Sequence, residues 1–286
     1  MRKIDEYISE AFKYAFSDIK KGLVGGFLYA ISGTLGVLIS VVFARLINPM
    51  SMSYHNFGGK LTMFFGITLI IFLIGLIVGF LVDGYYIRVM KTTVEGSNTL
   101  PEWNNISDLL VKGFLYTIGT LILVIIFMLP LIILFIIGIF AMAIDSSGII
   151  GLPLLLISLL LMIPLIILLI LYSYLAEVNF SVKGFFGFFE FKKIFKLMSL
   201  KYVVLLILVV IITVIVLLIV SSPFIIVYML YAAQTPSFYY EYIPSTPMII
   251  IKLISTIVSS FVGFFMEVFS KRAIALYYKD KIEKLE

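Results

Sequence analysis

The chain has 286 residues, 62% of them apolar and 13% charged, with a formal net charge of +5 and no cysteine. That composition lies far from a soluble domain, and the missing cysteine excludes disulfides, thiolate catalysis and soft-metal thiolate sites. Apolar runs such as 114–144 and 152–176 exceed the roughly 20 residues that cross a bilayer as a helix, whereas a barrel would show alternating strands of about ten residues. The expectation is an all-α membrane protein.

In chain order, residues 1–21 are charged and amphipathic rather than uniformly apolar, unlike a cleavable signal. Ile4, Ile8, Ala11, Phe12, Ala15, Phe16 and Ile19 recur there at helical spacing and predict a helix at the membrane interface. Six transmembrane helices follow, over about 22–47, 61–82, 113–144, 149–176, 202–231 and 248–268. Of the 21 lysines and arginines, all but Arg45, Lys60 and Lys252 fall in the N-terminus, the second-to-third connection, the fourth-to-fifth connection or the C-terminus. The positive-inside rule then places both termini in the cytoplasm, with the protein in the cell membrane. The excess positive charge follows from this asymmetry and is not a nucleic-acid footprint.

A second amphipathic stretch, Trp103, Ile106, Leu109 and Leu110, follows Pro101, a residue suited to a first helical turn. A third, phenylalanine-rich, covers 185–198. Each odd-numbered span is thus preceded by a predicted interfacial helix, which divides the single membrane domain into three interfacial-helix plus two-span hairpin units: 1–95, 96–182 and 183–286.

Acidic residues repeat with those units. Asp83, Glu177 and Glu267 lie at the ends of the second, fourth and sixth spans, close to a third of the chain apart. Each comes four residues after a small one (Gly79, Ser173, Gly263) and is followed within six residues by a base, Arg88, Lys183 or Arg272. One reading is local ion pairing at wet helix ends, Asp83 with Arg88 or Glu267 with Lys271 on the next turn. The other is a ring of carboxylates around a cytoplasm-facing cavity. Span ends tolerate charge, so the pattern favours the first. Gly22, Gly26, Ala30 and Gly33 on the first span, with Gly75 and Gly79 on the second, form small-residue faces that let helices approach closely. Asp83 and Glu267 continue such faces, so they are expected to point into the bundle.

Pro130, Pro164 and Pro223 interrupt spans three, four and five, but no matched pair of broken helices marks an alternating-access site. The basic stretch 183–201 is suited to anionic lipid headgroups. No phosphate-binding glycine loop, nucleophile elbow or His-Glu-x-x-His motif is present, and a lone His55 lacks the co-ligands of a zinc site. No catalytic residue, metal or cofactor is expected.

The second-to-third connection reads Gly84-Tyr85-Tyr86-Ile87-Arg88, then Gly96, then Leu100-Pro101-Glu102-Trp103. This arrangement resembles an archaeal and bacterial integral-membrane family known only as a domain of unknown function. The resemblance implies a multipass fold; no activity is established in that family, so no catalytic role carries over. Pro101 would start the interfacial helix, Glu102 would favour its N-terminal dipole, and Trp103 would anchor at headgroup level.

Together these readings describe a non-enzymatic multipass protein that organises or assists other membrane components. The bilayer, anionic headgroups and an unknown membrane protein are its expected partners, and nucleic acid is not. The alternative is a solute or ion permease built on Asp83, Glu177 and Glu267.

Overall fold

A computed structural model describes residues 1–46, 57–144, 147–234 and 245–285. The connections 48–60, 145–148 and 232–247 fall largely or partly outside them, and His55 lies outside them altogether. The described residues are mostly helical and contain no strand: α1 (Ile4–Ala15), α2 (Ile19–Leu46), α3 (Phe57–Val94), α4 (Ile106–Ile144), α5 (Gly151–Lys183), a 3-10 helix (Phe185–Phe189), α6 (Phe191–Leu197), α7 (Leu200–Gln234) and α8 (Thr246–Glu283). Six of these, α2, α3, α4, α5, α7 and α8, are long and apolar enough to span a membrane.

These helices outrun their apolar segments. α3 and α8 each have 38 residues, about 57 Å at 1.5 Å per residue, against a hydrocarbon core of about 30 Å. Their surplus carries the polar residues, so every backbone bond stays satisfied while the helix leaves the apolar zone. Within the most apolar stretch of each span only 6–17% of residues are buried, which is the exposure expected where lipid is the solvent. The packed core sits instead at the end shared by α1, the C-terminal halves of α3, α5 and α8, and the start of α7.

Neighbours run α7, α8, α2, α3, α4, α5 around the bundle, and α8 additionally touches α1, α3, α5 and α6. Small residues set two of these contacts. On α2, Gly22, Gly25 and Gly26 receive the rings of Phe265, Phe264 and Phe261 from α8. Between α3 and α4 the backbones themselves meet. A Cβ on Gly84 would overlap the Leu109 carbonyl, and one on Gly113 would overlap that of Phe80. Gly79 meets nothing, so the small-residue face expected on the second span contributes only in part.

Pro130, Pro164 and Pro223 lie within continuous helices α4, α5 and α7.

The three segments expected as interfacial helices differ from one another. α1 buries Tyr7, Ala11, Tyr14 and Ala15 against α8, where Tyr7 OH donates to Asp280 at 2.9 Å and Phe16 stacks on Phe265 at 4.9 Å. Phe12, Phe16 and Ile19 remain exposed. Burial and the bond to Asp280 raise the Tyr7 phenol above its ordinary range. The second segment is not a separate helix. Residues 95–105 form an irregular crossing with turns and bends, Asn105 adopts a positive φ of 50°, and α4 begins at Ile106, so Pro101 starts no helix. The third is the 3-10 helix plus the seven-residue α6. Phe188 is fully buried there, because its ring enters the gap left by Gly119 on α4.

Candidate functional site

The sequence singled out three acids and the base following each. Those bases turn away from the acids. Arg88 donates to the carbonyls of Glu102 and Asn104, both at 2.8 Å, and pairs with Asp108 at 3.1 Å. Lys183 pairs with Glu190 at 2.8 Å. Arg272 donates to Thr93, to the Ser97 carbonyl and to Asn98 at 2.6–3.0 Å, with its guanidinium 4.2 Å from the Tyr14 ring centre. All three pin extramembrane chain to helix ends. Hydrogen bonds from Lys183 and Asn179 hold the Glu190 carboxyl below its ordinary range.

Two of the acids, Glu177 and Glu267, meet instead at Lys271, one turn past Glu267 on α8. Its ammonium lies 2.6 Å from Glu177 Oε2 on α5 and 3.1 Å from Glu267 Oε1, and 5.1 Å from the centre of the Tyr174 ring. Tyr116 OH on α4 donates to the other Glu177 oxygen at 2.9 Å. Glu177 and Lys271 are each 6% exposed, and this pairing is what makes burial of two charges tolerable. Asp83 on α3 lines a cavity of about 230 Å³ together with Glu267, Lys271, Tyr29, Tyr86 and Tyr116. Among the described residues Asp83 has no hydrogen bond or ion pair, and the Tyr86 hydroxyl is buried without a partner.

The close α3–α4 crossing holds this geometry. Gly84 follows Asp83 directly, and its contact with Leu109 sets the depth at which Asp83 and Tyr116 enter the bundle. Tyr85, on the opposite side of α3, stacks on Trp103 with ring centres 3.9 Å apart and planes 4° from parallel, and its hydroxyl donates to the Pro101 carbonyl at 3.0 Å. Trp103 Nε1 donates to the Lys21 carbonyl at 2.9 Å. Lys21 Nζ returns bonds to the Leu100 carbonyl at 2.9 Å and the Glu102 carboxylate at 2.7 Å. Trp103 therefore joins the crossing segment to α2 and α3, and Glu102 pairs with a lysine rather than starting a helix. Gly96, at φ +95°, ends α3. Its N–H bonds Thr93 O at 3.0 Å and that of Ser97 bonds Thr92 O at 2.8 Å, the two bonds of a Schellman cap.

Sequence spacing placed Asp83, Glu177 and Glu267 at equivalent depth and pointing inward. It offered Lys271 only as a local partner of Glu267, and it passed over Tyr29, Tyr86, Tyr116 and Tyr174. Tyrosines close to carboxylates along apolar helices were the available signal, but their convergence depends on which helices are neighbours.

Comparison with known proteins decides the family. Residues 67–226 match the family described as "Protein of unknown function (DUF4013)". The chain belongs to that family. Two uncharacterized proteins of Methanocaldococcus jannaschii, MJ1189 and MJ0233, are each 44% identical to it. The first alignment covers 100% of both chains, the second 98% of this chain and 99% of the relative. No solved structure matches. This DUF4013 protein is thus similar along its whole length to proteins whose names specify no activity.

Proposed function

We propose that this DUF4013 protein is a non-enzymatic permease for a small solute or ion, with its binding site at the cytoplasmic end of the bundle. The observation that carries the reading is convergence. Glu177 and Glu267, from the fourth and sixth spans, share Lys271, and Asp83 from the second lines one partly open cavity with Glu267 and Lys271, while the bases that follow the three acids in sequence are occupied elsewhere. A merely structural helix-end acid pairs with its neighbour and needs no cavity. Here Asp83 is drawn into the bundle and left without a partner, an arrangement that costs stability and is retained where a ligand or proton uses it. The distribution of basic residues supports the cytoplasmic placement. Of the two roles open from sequence, organising other membrane components calls for no inward-facing acid.

Flux into proteoliposomes tests the reading, comparing the wild-type chain with Asp83→Asn, Glu177→Gln and Glu267→Gln. A transported solute should show initial rates reduced about tenfold or more by Asp83→Asn, the equivalent of about 1.4 kcal/mol. Correctly reconstituted protein that moves no screened ion or solute returns the assignment to an assembly role in the bilayer.

A further inference from the structure

We propose that the cavity between α2, α3, α4 and α8 binds a small aliphatic ammonium ion, a primary amine with a short carbon body. This deepens the permease reading and rests on it. Lys271 occupies one oxygen of Glu177 and one of Glu267, and Tyr116 occupies the second oxygen of Glu177. Asp83, Glu267 and Tyr86 line the cavity; among the described residues Asp83 has no partner, and Tyr86, 5% exposed, has a buried hydroxyl with none. Glu177 and Glu267 share Lys271, so an ionised Asp83 adds negative charge with no counter-cation of its own, to which a bound cation is complementary.

The lining narrows the class further. Among the described residues no three His, Cys, Asp or Glu groups are placed to hold a metal ion, so a stripped metal would lack its ligands. The other walls are Tyr29, Tyr86 and Tyr116 with Ile87 and Met90. Aromatic faces attract an organic cation, and the aliphatic residues accept its carbon body. An ammonium N–H can donate to Asp83 and to Tyr86 oxygen in charge-assisted hydrogen bonds, which satisfies both unpartnered groups at once. Lys271, between Glu177, Glu267 and the Tyr174 ring, already shows this chemistry in one covalently attached example. The volume of about 230 Å³ admits a few heavy atoms and excludes large solutes.

Calorimetric titration of the full chain in lipid nanodiscs tests the assignment, with n-butylammonium, tetramethylammonium and sodium chlorides as probes at matched ionic strength. Butylammonium is expected to bind saturably. Tetramethylammonium, which has no N–H to donate, should bind about tenfold more weakly, and sodium should give no saturable signal. Asp83→Asn should abolish butylammonium binding. Tyr86→Phe, which changes one oxygen atom, should weaken it severalfold while helicity by circular dichroism and elution volume stay unchanged. Equal responses to sodium and butylammonium, unaltered binding in Asp83→Asn, or no binding of any amine overturns the assignment. Binding without flux leaves this site standing and removes the permease reading. Asp83-dependent flux of another solute, without amine binding, does the reverse.

Discussion

Lys271 carries more of the site than any acid does. Its ammonium holds Glu177 and Glu267 together across α5 and α8, and it is 6% exposed. Removing it leaves a buried carboxylate whose remaining donor is Tyr116. Lys271→Met should therefore destabilise the protein by about 3–5 kcal/mol, the usual consequence of breaking one side of a buried pair. Adding Glu177→Gln to that variant should restore part of the loss, because the uncompensated charge is then gone. Thermal unfolding in one detergent, followed by circular dichroism, measures both. A double variant no more stable than Lys271→Met would show that Glu177 is not the group left in distress. Asp83→Asn should leave the unfolding midpoint unchanged or raise it by the same measurement, since Asp83 has no partner to lose among the described residues and an unpaired acid inside the bundle is removed.

Helix pairing depends on which positions lack a side chain. The α3–α4 crossing brings Gly84 against the Leu109 backbone and Gly113 against that of Phe80, and backbone cannot yield as a flexible side chain can. Gly84→Ala is expected to cost about 1–3 kcal/mol and to shift Asp83 relative to Tyr116, so loss of stability should accompany loss of flux. Gly58→Ala, where nothing stands within 4 Å, is the control. Equal unfolding midpoints for the two variants would remove the crossing from this account. The segment 95–105 illustrates a related point about elements. Trp103, Ile106, Leu109 and Leu110 at helical spacing predict a helix that starts at Pro101, yet helix α4 begins only at Ile106 and leaves Trp103 outside it. Trp103 finds a ring partner in Tyr85, and Arg88 supplies donors to the carbonyls at 102 and 104. Those tertiary bonds satisfy backbone groups that a helix would otherwise satisfy internally.

At the scale of the whole molecule, the six long helices divide into a lipid-facing half and a packed half that includes α1, the 3-10 helix and α6. The proposed cytoplasmic side of the packed half can be read directly, since the chain has no cysteine. Lys192→Cys, on the exposed face of α6, should react with a membrane-impermeant maleimide in inside-out vesicles and stay unlabelled in intact cells. Labelling of intact cells would invert the orientation. Exposed Lys192 and Lys196 are also the cations of the 183–201 stretch best placed for lipid headgroups, because Lys183 pairs with Glu190, Lys193 donates to Asn179 and Tyr278, and Lys201 donates to the Arg2 carbonyl.

The amino-acid sequence by itself determined that the chain is helical with six apolar spans, and that Asp83, Glu177 and Glu267 lie near the same ends of alternate spans. Run length, helical period and small-residue spacing are local quantities, and in a bilayer they have few alternative solutions. Only the tertiary structure decided that Glu177 and Glu267 meet at Lys271 while Arg88, Lys183 and Arg272 bind elsewhere, that Asp83 and the Tyr86 hydroxyl are left unpartnered beside them, and that the Leu100–Trp103 segment closes over α2 and α3. The reason is physical. A charge will pair with any opposite charge its helix neighbours bring within about 4 Å, and which helices are neighbours follows from glycine contacts and ring packing spread over more than two hundred residues of chain.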